Sequence, residues 1–318
     1  FKSDRLLLVV RRALETARLA RENAELRLRA GPETELLGES PQVNLLRHGI
    51  EKVAPTGSRV LISGPAGSGK EVVARMIHAR SRRTDGPFVV LNCATLQPAR
   101  LEAEVFGVEA GSDAAAQPRR AGVLERAHGG TLLLDEVSDM PLETQGKIVR
   151  ALQDQTFERL GGSARVKVDV RVLATSNKDL QGEIAAGRFR EDFYYRLAVV
   201  PLKVPALRDR CEDVPVLAGY FMARSAETSG MPIRELSTDT LTALQAYEWP
   251  GNVRQLRNVV DWLLIMAPGT AADPVRADML PPEIGASVSA VLNVDPAADI
   301  MGLPLREARD LFETQYLQ

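Results

Sequence analysis

The sequence predicts an α/β fold, a mainly parallel sheet with helices between its strands, followed by a small all-helical unit. Three observations predict it. From about Leu36 to Pro205, short apolar runs alternate with helical segments. The run Val60-Leu61-Ile62 leads into Gly64-Pro65-Ala66-Gly67-Ser68-Gly69-Lys70 and then a helix-like stretch from Glu71. Another run, Thr131-Leu132-Leu133-Leu134, ends in Asp135-Glu136.

Taken in order, residues 3–29 read as one long helix, rich in Leu, Ala, Arg and Glu and free of Gly and Pro. Leu7, Val10, Leu14, Ala17, Ala24 and Leu28 keep a three-four spacing broken at Arg21. That pattern fits either a short coiled-coil seam or a single helix packed on its own domain. Gly31-Pro32 ends it. Strands are expected at Val60–Ser63, Phe88–Asn92, Thr131–Leu134 and Val168–Thr175. From Arg208 to about Ile284 the periodicity is helical, through Val214, Leu217, Ala218 and Phe221, then Leu241 and Leu244, then Val259, Trp262 and Leu263. Residues 285–302 read as a linker, and a closing helix begins near Leu303.

The chemistry sits at strand ends. A strand, a Gly-rich turn and a helix start form a phosphate cradle, because glycines let backbone N–H groups converge and the helix dipole adds positive charge. Lys70 would neutralise β- and γ-phosphates. Asp135 would hold Mg²⁺, and Glu136 would orient and deprotonate a water. A tight turn explains the glycines alone and a solvated strand end explains the acids alone; neither explains both. Ser176 and Asn177 end a further strand, where they either cap it or contact phosphate or water. Arg190 and Arg196, six residues apart, fit surface ion pairs or arginine fingers reaching a neighbouring subunit. Arg254 follows Trp249-Pro250-Gly251-Asn252 on the first turns of a helix and could fold back onto a nucleotide.

In this order, GPAGSGKE, GGTLLLDE, FREDFYYRL, LRDRCEDV and WPGNVRQLRN resemble the AAA+ domain of bacterial enhancer-binding response regulators, the NtrC group and most closely its NtrX branch. The resemblance spans about Leu36 to Ile284. It implies an AAA+ P-loop NTPase, with a parallel-sheet core at 36–205 and an all-α lid at 206–284. Residues 1–30 resemble the end of a receiver domain running into a linker helix, and 303–318 the first helix of a Fis-type DNA-binding domain. The chain thus reads as a segment of a longer protein.

The resemblance also assigns roles. Gly64 to Lys70 hold ATP or ADP. Glu71 stands where other P-loops carry Ser or Thr, which leaves Mg²⁺ to Asp135, phosphates and water. Glu136 is the base. Asn92 is the switch asparagine that holds Glu136 away from water. Ser176 and Asn177 are sensor I, Arg190 and Arg196 the fingers acting in trans, and Arg254 sensor II. A dimer and a hexameric or heptameric ring, a sensor histidine kinase and DNA are the implied partners.

One motif departs from the family. Activators of sigma-54 polymerase carry GAFTGA after Leu-Phe-Gly. Here Val105-Phe106-Gly107 is followed by Gly111-Ser112-Asp113-Ala114-Ala115-Ala116, with Asp113 and Ala114 in place of Phe and Thr. A carboxylate cannot supply an aromatic contact to RNA polymerase. The expectation is regulation of transcription without the usual sigma-54 remodelling. Two functions stay open: an ATP-hydrolysing module, or a nucleotide-responsive dimerisation module with little turnover.

Composition narrows the rest. A net charge of −2 with 26% charged residues excludes a chain-wide basic nucleic-acid surface. No run of roughly 18 apolar residues and no leader pattern is present, so a cytoplasmic protein without a membrane span is expected. Cys93 and Cys211 lack metal or redox spacing and read as buried free thiols.

Overall fold

The computed structural model describes residues 35–109, 119–267, 269–270 and 273–284. The helix expected at 3–29, the altered loop at 111–116, the linker at 285–302 and the helix from Leu303 lie outside these residues.

Helix α1, Pro41–Val53, begins where the Ser40 hydroxyl accepts from Val43 N, with Pro41 at its first position. It buries Val43, Leu46, Ile50 and Val53 on one stripe. Strand β1 (Val60–Ser63) and helix α2 (Lys70–Ala79) flank the Gly-rich loop. Next come β2 (Phe88–Asn92), α3 (Pro98–Phe106), a small hairpin β3 (Gly107–Val108) and β4 (Arg120–Ala121), and α4 (Val123–Arg126). Then follow β5 (Thr131–Asp135), α5 (Leu142–Asp154), the hairpin β6 (Thr156–Glu158) and β7 (Arg165–Lys167), and β8 (Arg171–Ser176). The sheet unit closes with α6 (Leu180–Ala185), α7 (Glu191–Leu197) and β9 (Val200–Lys203).

The main sheet has the order β2-β5-β8-β1-β9, and every pair is parallel. Its side chains alternate between two cores, as strand geometry requires. Leu61, Leu132, Leu134, Val172 and Ala174 face one core, while Val60, Ile62, Leu133 and Leu173 face the other with α1 and α2. Burial on both faces is why these strands read as unbroken apolar runs. Arg171, 2% exposed, pins α1 and the following turn: its guanidinium donates to Val53 O, Ala54 O and Ser58 O.

A helical unit follows, with α8 (Val214–Ser229), α9 (Thr238–Ala246) and α10 (Asn252–Met266). Its core joins Leu217, Ala218 and Met222 to Trp249, Leu256, Val260 and Leu263.

The α/β class with a helical unit is borne out, with corrections in detail. β8 begins at Arg171 rather than Val168. β9 was not expected: it is an edge strand containing Pro201, a position where the missing N–H costs no ladder bond. The buried stripe of α10 runs through Leu256, Val260, Leu263 and Leu264, leaving Trp262 40% exposed. Cys93 is buried, but Cys211 is exposed.

Candidate functional site

Parallel strands bring their C-terminal ends to one edge, and the register decides which residues meet there. Ser63 pairs with Ser176, and Asn92 with Asp135. β8 lies between the Gly-rich-loop strand β1 and the acid-ended strand β5. A cavity of about 540 Å³ opens at this edge, under the helical unit. Lys70, Asn92, Asp135, Glu136, Asn177 and Arg254 line its polar part, and Leu36, Leu37, Leu217, Tyr220, Phe221 and Val253 its apolar part.

The loop is built for an anion. Gly67 and Gly69 have φ of 74° and 103°, values that glycine adopts without steric cost. Gly69 caps α2 with no side-chain bond, so the first-turn N–H groups are left for a ligand. Ser68 Oγ is buried without a hydrogen-bond partner among the described residues. Lys70, 6% exposed, donates to Gly64 O at 3.1 Å and Pro65 O at 3.3 Å, and pairs with Glu136 Oε1 at 3.1 Å.

The two acids differ in what holds them. Asp135 Oδ1 accepts from Thr175 Oγ1 at 2.7 Å, and its Oδ2 from Asn92 Nδ2 at 3.0 Å. Glu136 sits in the left-handed region at φ 54°, ψ 56°, which turns its side chain towards Lys70. Its Oε2 accepts from Asn177 N at 2.9 Å, and its own N–H donates to Thr175 Oγ1 at 2.9 Å.

These contacts correct two expectations. Asn92 does not hold Glu136; its register partner is Asp135, and its amide binds that carboxylate. The Ser176 side chain closes its own turn, donating to Lys178 O and accepting from Lys178 N, so strand-end capping holds for it. Thr175, fully buried, is the residue that reaches both acids and was missed in the sequence. A hydroxyl at the end of an otherwise apolar strand was the available signal.

Glu71 lines the cavity but spends its carboxylate on Arg75, at 2.6 and 3.1 Å. Arg254 donates its backbone N–H to Gly67 O at 3.2 Å, and its guanidinium makes no hydrogen bond or ion pair among the described residues. Arg190 and Arg196 do not line this cavity. Arg190 stands at the start of α7 in a two-point contact with Asp192, at 3.0 and 2.7 Å, which holds the Asp192 carboxyl below its ordinary range. Arg196 donates to Leu152 O at 2.9 Å and keeps Nε buried without a partner among the described residues.

Three further residues were not legible in the sequence. Arg210, 2% exposed, donates Nη2 to Ser68 O at 3.0 Å. Burial pulls its guanidinium below the usual value, and the Asp213 charge works against that. Asp213 accepts from Glu39 N at 2.8 Å, Ser40 N at 3.0 Å and Ser40 Oγ at 2.6 Å. Asn252 donates Nδ2 to Ala66 O at 3.0 Å and accepts from Leu207 N at 2.9 Å. Below the site, burial and then the Asp135 charge push the Cys93 thiol up to about 12. Among the described residues no cluster of three His, Cys, Asp or Glu could hold a metal, and no helix is long and apolar enough to cross a membrane.

A P-loop on an interior parallel strand, an acid pair two strands away and a helical lid over the cavity define an AAA+ P-loop NTPase fold. The sequence matches the sigma-54 interaction domain over residues 36–203 and the AAA+ ATPase lid domain over 208–293. The nitrogen assimilation regulatory protein NtrX of Azorhizobium caulinodans is 51% identical over 317 residues, covering 100% of this chain and 69% of that protein. A response regulator of Rickettsia bellii, described as NtrX-like, is 41% identical over 322 residues, covering 100% of this chain and 67% of its own length. A crystal structure of NtrX from Brucella abortus in complex with ADP superposes with a TM-score of 0.78 at 52% identity, covering 100% of this chain and 69% of that one. The chain belongs to the NtrX family of NtrC-like AAA+ response regulators. It spans about two thirds of the length of these relatives.

Proposed function

We propose that this chain binds ATP and ADP in the cavity between sheet and lid and hydrolyses ATP as the central module of a two-component transcription regulator. The observation that carries this reading is the gathering of Lys70, Asp135, Glu136 and Asn177 at adjacent strand ends before an uncapped helix start. Crystal structures of the Brucella abortus relative in complex with ADP and with ATP support it. The loop from Gly64 to Gly69 offers N–H groups and Lys70 a charge to the phosphates. Tyr220, Phe221 and Val253 offer an apolar wall to the base. Arg254 reports nucleotide state to the lid.

A Mg²⁺ ion fits the site through Asp135, whose carboxylate accepts from Thr175 and Asn92 and makes no ion pair among the described residues; when bound it would neutralise developing phosphate charge. Glu136 receives the proton of the attacking water once released from Lys70 and Asn177 N. Arg190 and Arg196 serve a neighbouring subunit's site, so full turnover needs a ring of six or seven. The same proposal divides the protein into a receiver-end helix at 1–30, AAA+ core at 36–205, lid at 206–284, linker at 285–302 and the start of a DNA-binding domain at 303–318. The receiver takes its phosphoryl group from a sensor histidine kinase. With Asp113 and Ala114 in the altered loop, transcriptional output does not run through the usual sigma-54 remodelling.

The test compares Lys70→Ala with Glu136→Gln. Lys70→Ala should weaken ATP binding and Glu136→Gln should keep binding but stop phosphate release. Unchanged ATP affinity in Lys70→Ala would sink the reading. A second reading, nucleotide-set dimer geometry with little turnover, is favoured by one observation: both Glu136 oxygens are engaged, on Lys70 and Asn177 N. Transcriptional control that survives Glu136→Gln but not Lys70→Ala selects it.

A further inference from the structure

Three consecutive carbonyl oxygens of the P-loop are each taken by a donor from the short helical segment Leu207–Asp213 or from the start of α10. Ala66 O accepts from Asn252 Nδ2 at 3.0 Å, Gly67 O from Arg254 N at 3.2 Å, and Ser68 O from Arg210 Nη2 at 3.0 Å. The approach is close: a Cβ on Gly67 would lie 2.3 Å from Gly251 O. Asn252 is built into this junction. It is 3% exposed, holds φ at 52° and also accepts from the Leu207 N–H at 2.9 Å. Three residues beyond Leu207, Arg210 departs from helical geometry at φ −142°, ψ 46°, in the segment whose guanidinium reaches the loop.

We propose that Asn252 and Arg210 are positioning residues that hold the P-loop by its carbonyls, so that a change in the loop's shape on nucleotide binding passes to the lid without passing through the Arg254 side chain. Asn252 does not line the nucleotide cavity, whereas Arg210 does, so Asn252 carries the sharper test. The carbonyls of Ala66, Gly67 and Ser68 go to donors outside the loop, whereas the Ser68 N–H closes the loop on Pro65 O at 3.3 Å. A shift of the loop must then carry or break the bonds to Asn252 and Arg210. The proposal rests on the nucleotide-binding reading above.

Trp249 is the reporter. It is 1% exposed, and its carbonyl accepts from Asn252 N at 2.8 Å. Replacing Trp262, the second of two tryptophans, by Phe leaves Trp249 as the sole indole. In the full chain, ADP binding is measured by calorimetry and Trp249 emission is read on the same samples. In Arg254→Ala the emission change per bound ADP should keep about half its size or more. In Asn252→Gly, which suits the positive φ, most of that change should vanish while affinity falls by no more than about tenfold, the scale of one hydrogen bond. Asn252→Asp keeps the acceptor for Leu207 N but sets a carboxylate against Ala66 O, and should match the Gly variant. Arg210→Met should also diminish the change.

A full signal in Asn252→Gly or Asn252→Asp overturns the proposal, as does a signal abolished by Arg254→Ala alone. Unchanged Trp249 emission in the parent while ADP binds overturns it too. No binding heat in the parent itself refutes the nucleotide reading instead.

Discussion

Asp213 gives the most testable account of how the segment before α1 is held. Its carboxylate is 2% exposed and accepts from Glu39 N, Ser40 N and Ser40 Oγ across more than 170 positions of sequence. Asp213→Ala removes all three bonds. Hydrogen bonds to a charged acceptor contribute about 1.5–3 kcal/mol each, but one shared carboxylate and water access at exposed Glu39 make the sum an overcount. The working figure is about 3–4 kcal/mol, in line with stripping one partner from a buried charged contact. Asp213→Asn keeps an oxygen for the two N–H groups, and Ser40 Oγ can turn to accept, so about 1 kcal/mol is expected. Gly38→Ala should approach the larger loss, because Gly38 has φ 120° and a Cβ would lie 2.5 Å from Asp213 Cγ. Thermal unfolding followed by circular dichroism reads this as a midpoint fall of about 6–12 °C for Asp213→Ala. A variant within about 0.5 kcal/mol of the parent, or an Asn variant as damaged as the Ala one, would refute the reasoning.

Three other outcomes follow from the same geometry. If Arg196 acts in trans, Arg196→Ala and Lys70→Ala should each lose turnover, while an equal mixture recovers about a quarter of parental ATPase activity; a mixture as inactive as its components would count against trans action. Cys93 should resist a thiol reagent at pH 8 that Cys211 accepts at once, with its own reaction waiting for denaturant. Because burial raises Cys93 from 9.0 to about 12, its contribution is complete below pH 9 and is lost as pH rises towards 12, which a urea series across that range would show. Arg171→Lys cannot reach three carbonyls and should cost about 2–3 kcal/mol in urea denaturation, whereas parental stability would show those contacts to be idle.

How much of this was visible in the sequence depends on range. β1 and β2 were legible to the residue because apolar runs abut Gly, Asn or Asp. The hairpins β3–β4 and β6–β7 were not, since strands of two or three residues carry no period. The P-loop and acid pair were legible because their chemistry is contiguous in the chain. The Asn92 contact failed because register, a property of two strands, chose Asp135 over the neighbouring Glu136. Arg210 and Asn252 find their carbonyls 142 and 186 positions away, and no local pattern announces a partner that distant.

The place of β8 sets the width of the cavity floor. Neighbouring strands stand about 4.8 Å apart, so putting β8 between β1 and β5 separates the loop strand from the acid strand by roughly 9–10 Å. With those strands adjacent, the carboxylates would crowd the loop and leave space for little beyond a cation. The extra lane has its own floor, Thr175 and the Asn177 N–H, and that floor already carries Glu136. A site of this breadth keeps Asp135 a full strand away from the Gly-rich loop, with Glu136 reaching across the gap to Lys70.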